Sequence, residues 1–99
     1  LALNHLSRSP SGLSSATTGA LSEYKVVVDL MTRGFEVFRA TSPASSCDLA
    51  TLKDGKLTRI EVRTGRRGKN GTVLASNAKH RADVLAIVLP DTIVYIPLL

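Results

Sequence analysis

The sequence predicts an α/β domain built as one helix, three strands, a short helix and two further strands. Three observations carry this order: a helix-period run of apolar residues after Gly19, an Asp54-Gly55 turn signal between two strand-like segments, and two apolar runs around Pro90-Asp91. A chain of 99 residues has room for one domain whose core is large enough to fold alone.

Residues 1 to 18 read as a polar lead segment, because Ser9-Pro10-Ser11-Gly12 punctuates any early structure and no sustained apolar period follows it. The domain proper is expected over 19–99. Ala20, Leu21, Tyr24, Val27, Val28 and Met31 then recur at three- and four-residue spacing, which predicts a helix with those residues on its buried face and Gly34 as its left-handed stop. Three consecutive valines, Val26 to Val28, lower helix propensity, so packing must hold this helix.

Phe35 to Arg39 largely alternates apolar and polar residues, a strand period, and a Ser/Pro-rich loop from Thr41 to Ser46 follows. Cys47 to Leu52 and Leu57 to Thr64 are strand candidates. The Lys53-Asp54-Gly55-Lys56 turn makes them antiparallel neighbours, since Asp-Gly suits the positive backbone angles of a tight hairpin. Gly65 to Gly71 is a glycine-interrupted basic loop, and Ser76 to Ala82 has the length of about two helical turns. Val84 to Leu89 and Ile93 to Leu98 are the closing strands.

Composition narrows the class. Hydrophobic residues are 43% of the chain and charged residues 21%, too apolar for a disordered protein. No apolar run reaches the roughly 20 residues that span a bilayer, so a membrane span is not expected. The single cysteine, Cys47, excludes an internal disulfide and a Cys-rich zinc site, and points to a reducing compartment with the cytoplasm as default. The lead segment, rich in Ser and Thr and without acids, also has a faint transit-peptide composition.

The formal net charge is +5, which favours a polyanionic partner. Lys53, Lys56, Arg59, Arg63, Arg66, Arg67, Lys69, Lys79 and Arg81 crowd positions 53 to 81, where the acids are Asp54 and Glu61. Such a field either meets phosphates or is a solvated cationic face.

Alternation along the returning strand puts Arg59, Glu61 and Arg63 on one face and Ile60 and Val62 on the other, toward the core. Asp48, on the partner strand, brings a second carboxylate toward Glu61 if it faces the same way. Two carboxylates suit Mg2+, which takes hard oxygen ligands and keeps waters and phosphate oxygens in its other positions. The plainer reading is an exposed, salt-bridged strand face. The loop carrying Arg66, Arg67 and Lys69 follows directly, and its glycines let amides and cationic heads approach phosphates; Lys79 and Arg81 extend the same track. The loop lacks P-loop spacing, and His80 has no second His or Cys at ligand spacing.

These residues carry a resemblance. Gly19 to Glu23, Arg33-Gly34-Phe35-Glu36-Val37, Cys47-Asp48-Leu49-Ala50, Ile60-Glu61-Val62-Arg63-Thr64, Lys79 to Leu85 and Val94-Tyr95-Ile96-Pro97 together resemble the PD-(D/E)XK nuclease superfamily. Within it the chain is similar to small archaeal-type Holliday junction resolvases and group I intron endonuclease-like proteins. The resemblance implies a restriction-endonuclease-like α/β core around a mixed sheet. It implies Asp48 and Glu61 as ligands of one or two Mg2+ or Mn2+ ions, with Glu23 on the first helix as an auxiliary residue of the catalytic site. It further implies hydrolysis of phosphodiester bonds in duplex or branched DNA, and a homodimer that the closing strand Ile93 to Leu98 would help to form.

The sequence departs from the pattern where the motif's lysine is replaced by Arg63 and its proline by Cys47. Arginine stays protonated, so it cannot act as a general base, although a fixed cation still stabilises charge on a phosphate. Three functions therefore stand open: a metal-dependent endonuclease, a catalytically weakened nucleic-acid-binding domain of the same fold, and a structural or protein-interaction module.

Overall fold

The computed structural model describes residues 12–76 and 81–98. Helix α1 spans Ser15–Thr32, and among the described residues seven strands follow: β1 Glu36–Arg39, β2 Leu49–Lys53, β3 Lys56–Thr64, β4 Arg66–Arg67, β5 Val73–Leu74, β6 Val84–Val88 and β7 Ile93–Pro97. The main sheet has the order β1-β2-β3-β6-β7. Its β3–β6 pair is parallel and its other pairs are antiparallel, so the sheet is mixed, as expected.

Four local expectations are corrected. First, α1 begins before Gly19, because the Ser14 hydroxyl accepts the Thr17 N–H at 3.1 Å and caps a helix that includes Ser15 to Thr18. Second, β2 starts at Leu49 rather than Cys47. Third, the basic segment after β3 is not an open loop: β4 and β5 pair antiparallel around a short 3-10 turn at Lys69–Gly71. Fourth, Ser76, Arg81 and Ala82 are not helical; the rest of the expected short helix, with Lys79 and His80, lies outside the described residues.

The buried face of α1 is also not the expected one. Ser22, Val26 and Leu30 are buried, while Tyr24, Val28 and Met31 remain 53%, 64% and 60% exposed. The sequence offers two apolar stripes on one helix: the stripe spaced by fours is buried on the sheet, and of the expected face Val27 also packs against the core, half-buried. There Val26 and Leu30 pack on Leu49, Ile60, Val62, Ala86 and Val88. Leu85, Ile87 and Leu89 form a smaller cluster with Val73, Val94 and Leu98.

The Asp54-Gly55 hairpin is as expected. Both residues have positive φ, 51° and 78°, and the turn sets the register that pairs Leu49 with Ile60. That register puts the core residues of β2 and β3 on one face and decides what lies opposite Glu61.

Candidate functional site: a two-carboxylate centre on β3

The site lies where β2 leaves β3. The last backbone bond of the pair is donated by the Asp48 N–H to the Ile60 carbonyl, at 3.1 Å. Beyond it the Asp48 side chain takes over from the strand: its Oδ2 accepts the Val62 N–H at 2.8 Å. On its other edge β3 continues against β6, with Glu61 beside Leu85 and Arg63 beside Ile87. The centre is thus fixed by backbone on both sides.

Arg63 joins the two acids. Its Nη2 donates to Glu61 Oε1 at 2.5 Å, its Nη1 donates to the Val62 carbonyl at 3.0 Å, and Nη1 lies 4.0 Å from Asp48 Oδ2. Asp48, Glu61 and Arg63 are therefore together, as expected. Glu61 is only 7% exposed, so the plain reading of an exposed salt-bridged face does not describe it. Its Oε2 is buried and has no hydrogen-bond partner among the described residues, although buried polar groups are normally paired because leaving one unmet costs about 1–3 kcal/mol.

This donor set fits a hard divalent cation. One Glu61 oxygen lacks a partner among the described residues, and Asp48 contributes a second, partly exposed carboxylate on the same Arg63 guanidinium. Among the described residues no group of three or more His, Cys, Asp or Glu side chains gathers at metal-binding distance. Among the described residues Asp48 and Glu61 would be the ligands, with water or phosphate oxygens in the remaining positions.

Glu23 lines the same cleft as Asp48, about 200 Å³ in volume, with Cys47 and the loop from Ala40 to Ser45. It is engaged elsewhere: Arg39 Nε donates to its Oε1 at 3.2 Å, and the Arg39 guanidinium lies over the Tyr24 ring. The Glu23 carboxylate holds Arg39 above its ordinary pKa. Arg59, expected to flank Glu61, is turned to Asp83 instead. The Asp83 carboxylate accepts the Arg59 backbone N–H at 2.8 Å and the guanidinium Nε and Nη2, at 3.3 and 3.1 Å. This acid just before β6 locks β3 to it, a role that no spacing in the sequence announced.

Among the basic residues, Arg66, Lys69 and Arg81 are exposed. Arg67 is committed: it binds both Asp91 oxygens, at 3.3 and 3.1 Å, and the Gly71 carbonyl at 3.1 Å. The Pro90-Asp91 turn signal was legible, but its pairing with Arg67 was not. No described helix is long and apolar enough to cross a membrane.

The fold is nuclease-like. A solved structure with this architecture is that of a bacterial homing endonuclease, I-Ssp6803I, matched with a TM-score of 0.74 at 18% identity over 86% of this chain and 66% of that one. The chain spans just under two thirds of that enzyme's length. No family model and no curated protein matches the sequence.

Proposed function

We propose that the chain is a metal-dependent endonuclease of the PD-(D/E)XK type, hydrolysing phosphodiester bonds in duplex or branched DNA. The observation that carries this reading is the buried Oε2 of Glu61, unpartnered among the described residues, with Asp48 held on the other side of the shared Arg63 guanidinium, on a nuclease-like fold. Asp48 and Glu61 would hold Mg2+ or Mn2+, which when bound polarises a phosphoryl oxygen and lowers the pKa of water. The Val62 N–H fixes Asp48 in place, so that carboxylate needs little reorganisation. Arg63 supplies a permanent positive charge at the two carboxylates, suited to the charge that develops on a phosphate. Glu23 would act as an auxiliary at the cleft wall only after exchanging its bond to Arg39.

One observation favours the second reading, a weakened nucleic-acid-binding domain. The cation against Glu61 is a guanidinium, which cannot accept a proton. A homodimer joined along the outer edge of β7, an end strand of the sheet, accompanies either reading.

The test is cleavage of labelled duplex, branched and single-stranded DNA with Mg2+ or Mn2+, beside Asp48→Asn and Glu61→Gln. Metal-dependent cutting abolished by both substitutions is the expected result. Absence of cutting with salt-sensitive binding retained would select the second reading.

A further inference from the structure

We infer that the β4–β5 hairpin is a ribbon that enters the major groove of duplex DNA, with Arg66 and Lys69 on phosphates, Asn70 on a base edge and Arg67 as an internal brace. The inference rests on the DNA reading of the site and names the element that would engage that substrate.

The ribbon is held rigidly beside the centre. β3 runs from Glu61 through Thr64 into Gly65, whose N–H donates to the Val88 carbonyl at 2.9 Å. A side chain at position 65 would collide with Ile87 Cγ2 and press on the Leu74 carbonyl, so glycine lets the ribbon's base sit down on the sheet. At the far end Arg67 ties the Gly71 carbonyl to Asp91 in the β6–β7 turn. Neither end can swing without breaking these contacts, which fixes the ribbon's direction relative to Glu61.

The free charge is divided unevenly. Arg67 is offset by Asp91, whereas among the described residues no acid lies within ion-pair distance of the exposed Arg66 and Lys69. The tip between them is well defined: the Gly68 N–H donates to the Thr72 carbonyl at 2.6 Å and the Thr72 hydroxyl to the Lys69 carbonyl at 3.0 Å. Asn70 stands at the apex with φ 61°, exposed, its side-chain amide making no hydrogen bond among the described residues.

Groove dimensions choose the partner. Strands about 4.8 Å apart form a ribbon narrow enough for the B-form major groove, about 12 Å wide, where an Asn amide pairs bidentately with adenine. The major groove of A-form RNA is too narrow to admit it.

The experiment is binding in EDTA to a randomised DNA duplex pool and to an RNA duplex of equal length, across a salt series, with sequencing of the bound DNA. Wild-type protein is compared with Arg66→Ala/Lys69→Ala and with Asn70→Gly, which keeps a residue able to hold positive φ. All altered side chains are exposed, so the fold is preserved. The double variant is expected to lose about 10- to 100-fold in DNA affinity, with the salt slope lowered by about two. Asn70→Gly is expected to abolish the adenine enrichment of the selected sequences. DNA binding unchanged in the double variant, equal binding to RNA, or an adenine enrichment absent from wild type or surviving in Asn70→Gly would overturn this inference alone. No DNA binding by the wild-type protein would overturn the functional reading with it.

Discussion

At the scale of single residues, Arg63 decides what the centre can do. A guanidinium donating to Glu61 at 2.5 Å can stabilise negative charge but cannot take a proton from water. Arg63→Lys is therefore expected to raise the rate of metal-dependent DNA cleavage on the order of 100-fold, the lower end of what general-base catalysis contributes. An unchanged or lower rate in single-turnover assays would mean that the arginine is the working residue. Asp83 gives a prediction in acid. Its carboxyl is held below the ordinary carboxylate range by the Arg59 guanidinium first and by the Arg59 backbone N–H second. A group whose folded pKa is lowered contributes fully above its unfolded value, near pH 4, and the contribution is lost as pH falls through the folded value. Acid titration followed by circular dichroism should show this loss below about pH 4, and Asp83→Asn should remove that part of the profile. The Glu61-Val62-Arg63 alternation was legible in the sequence, and so was Asp48 as the second acid. The Arg59–Asp83 and Arg67–Asp91 pairs were not, because each spans residues far apart in sequence that only the sheet brings together.

At the scale of elements, α1 shows why apolar spacing alone does not name a buried face. Both Val26-Leu30 and Tyr24-Val28-Met31 satisfy helical periodicity, and the choice depends on what the sheet presents. Ile60, Val62 and Ala86 meet the first set. Leu30→Ala is accordingly expected to destabilise the fold by about 2–5 kcal/mol, whereas Met31→Ala should change it by no more than about 0.5 kcal/mol. Urea denaturation of the two variants separates them, and equal losses would mean that α1 is rotated from its described position. The first hairpin was readable to the residue because Asp54-Gly55 demands positive φ at both positions. The second was not, since Gly65-Arg66-Arg67-Gly68 has no strand alternation and pairs over only two residues on each side.

At the scale of the whole molecule, the mixed sheet brings the site together. Antiparallel β2 delivers Asp48 to one edge of β3, and parallel β6 fixes the other edge at Glu61 and Arg63. The element order gave the α/β class. A mixed sheet followed only from the family resemblance, and the parallel pairing of β3 with β6 was not anticipated, because nothing local in either strand specifies which distant strand it joins. Asp48 and Glu61 are proposed to form a divalent metal centre at that junction. Its most direct test is Mn2+ binding measured by titration calorimetry, without nucleic acid, on the wild-type protein, Asp48→Asn and Glu61→Gln. Binding to the wild-type protein that is weakened at least tenfold by each substitution is the predicted result. Mn2+ affinity that is undetectable in the wild type, or identical in all three proteins, would contradict it.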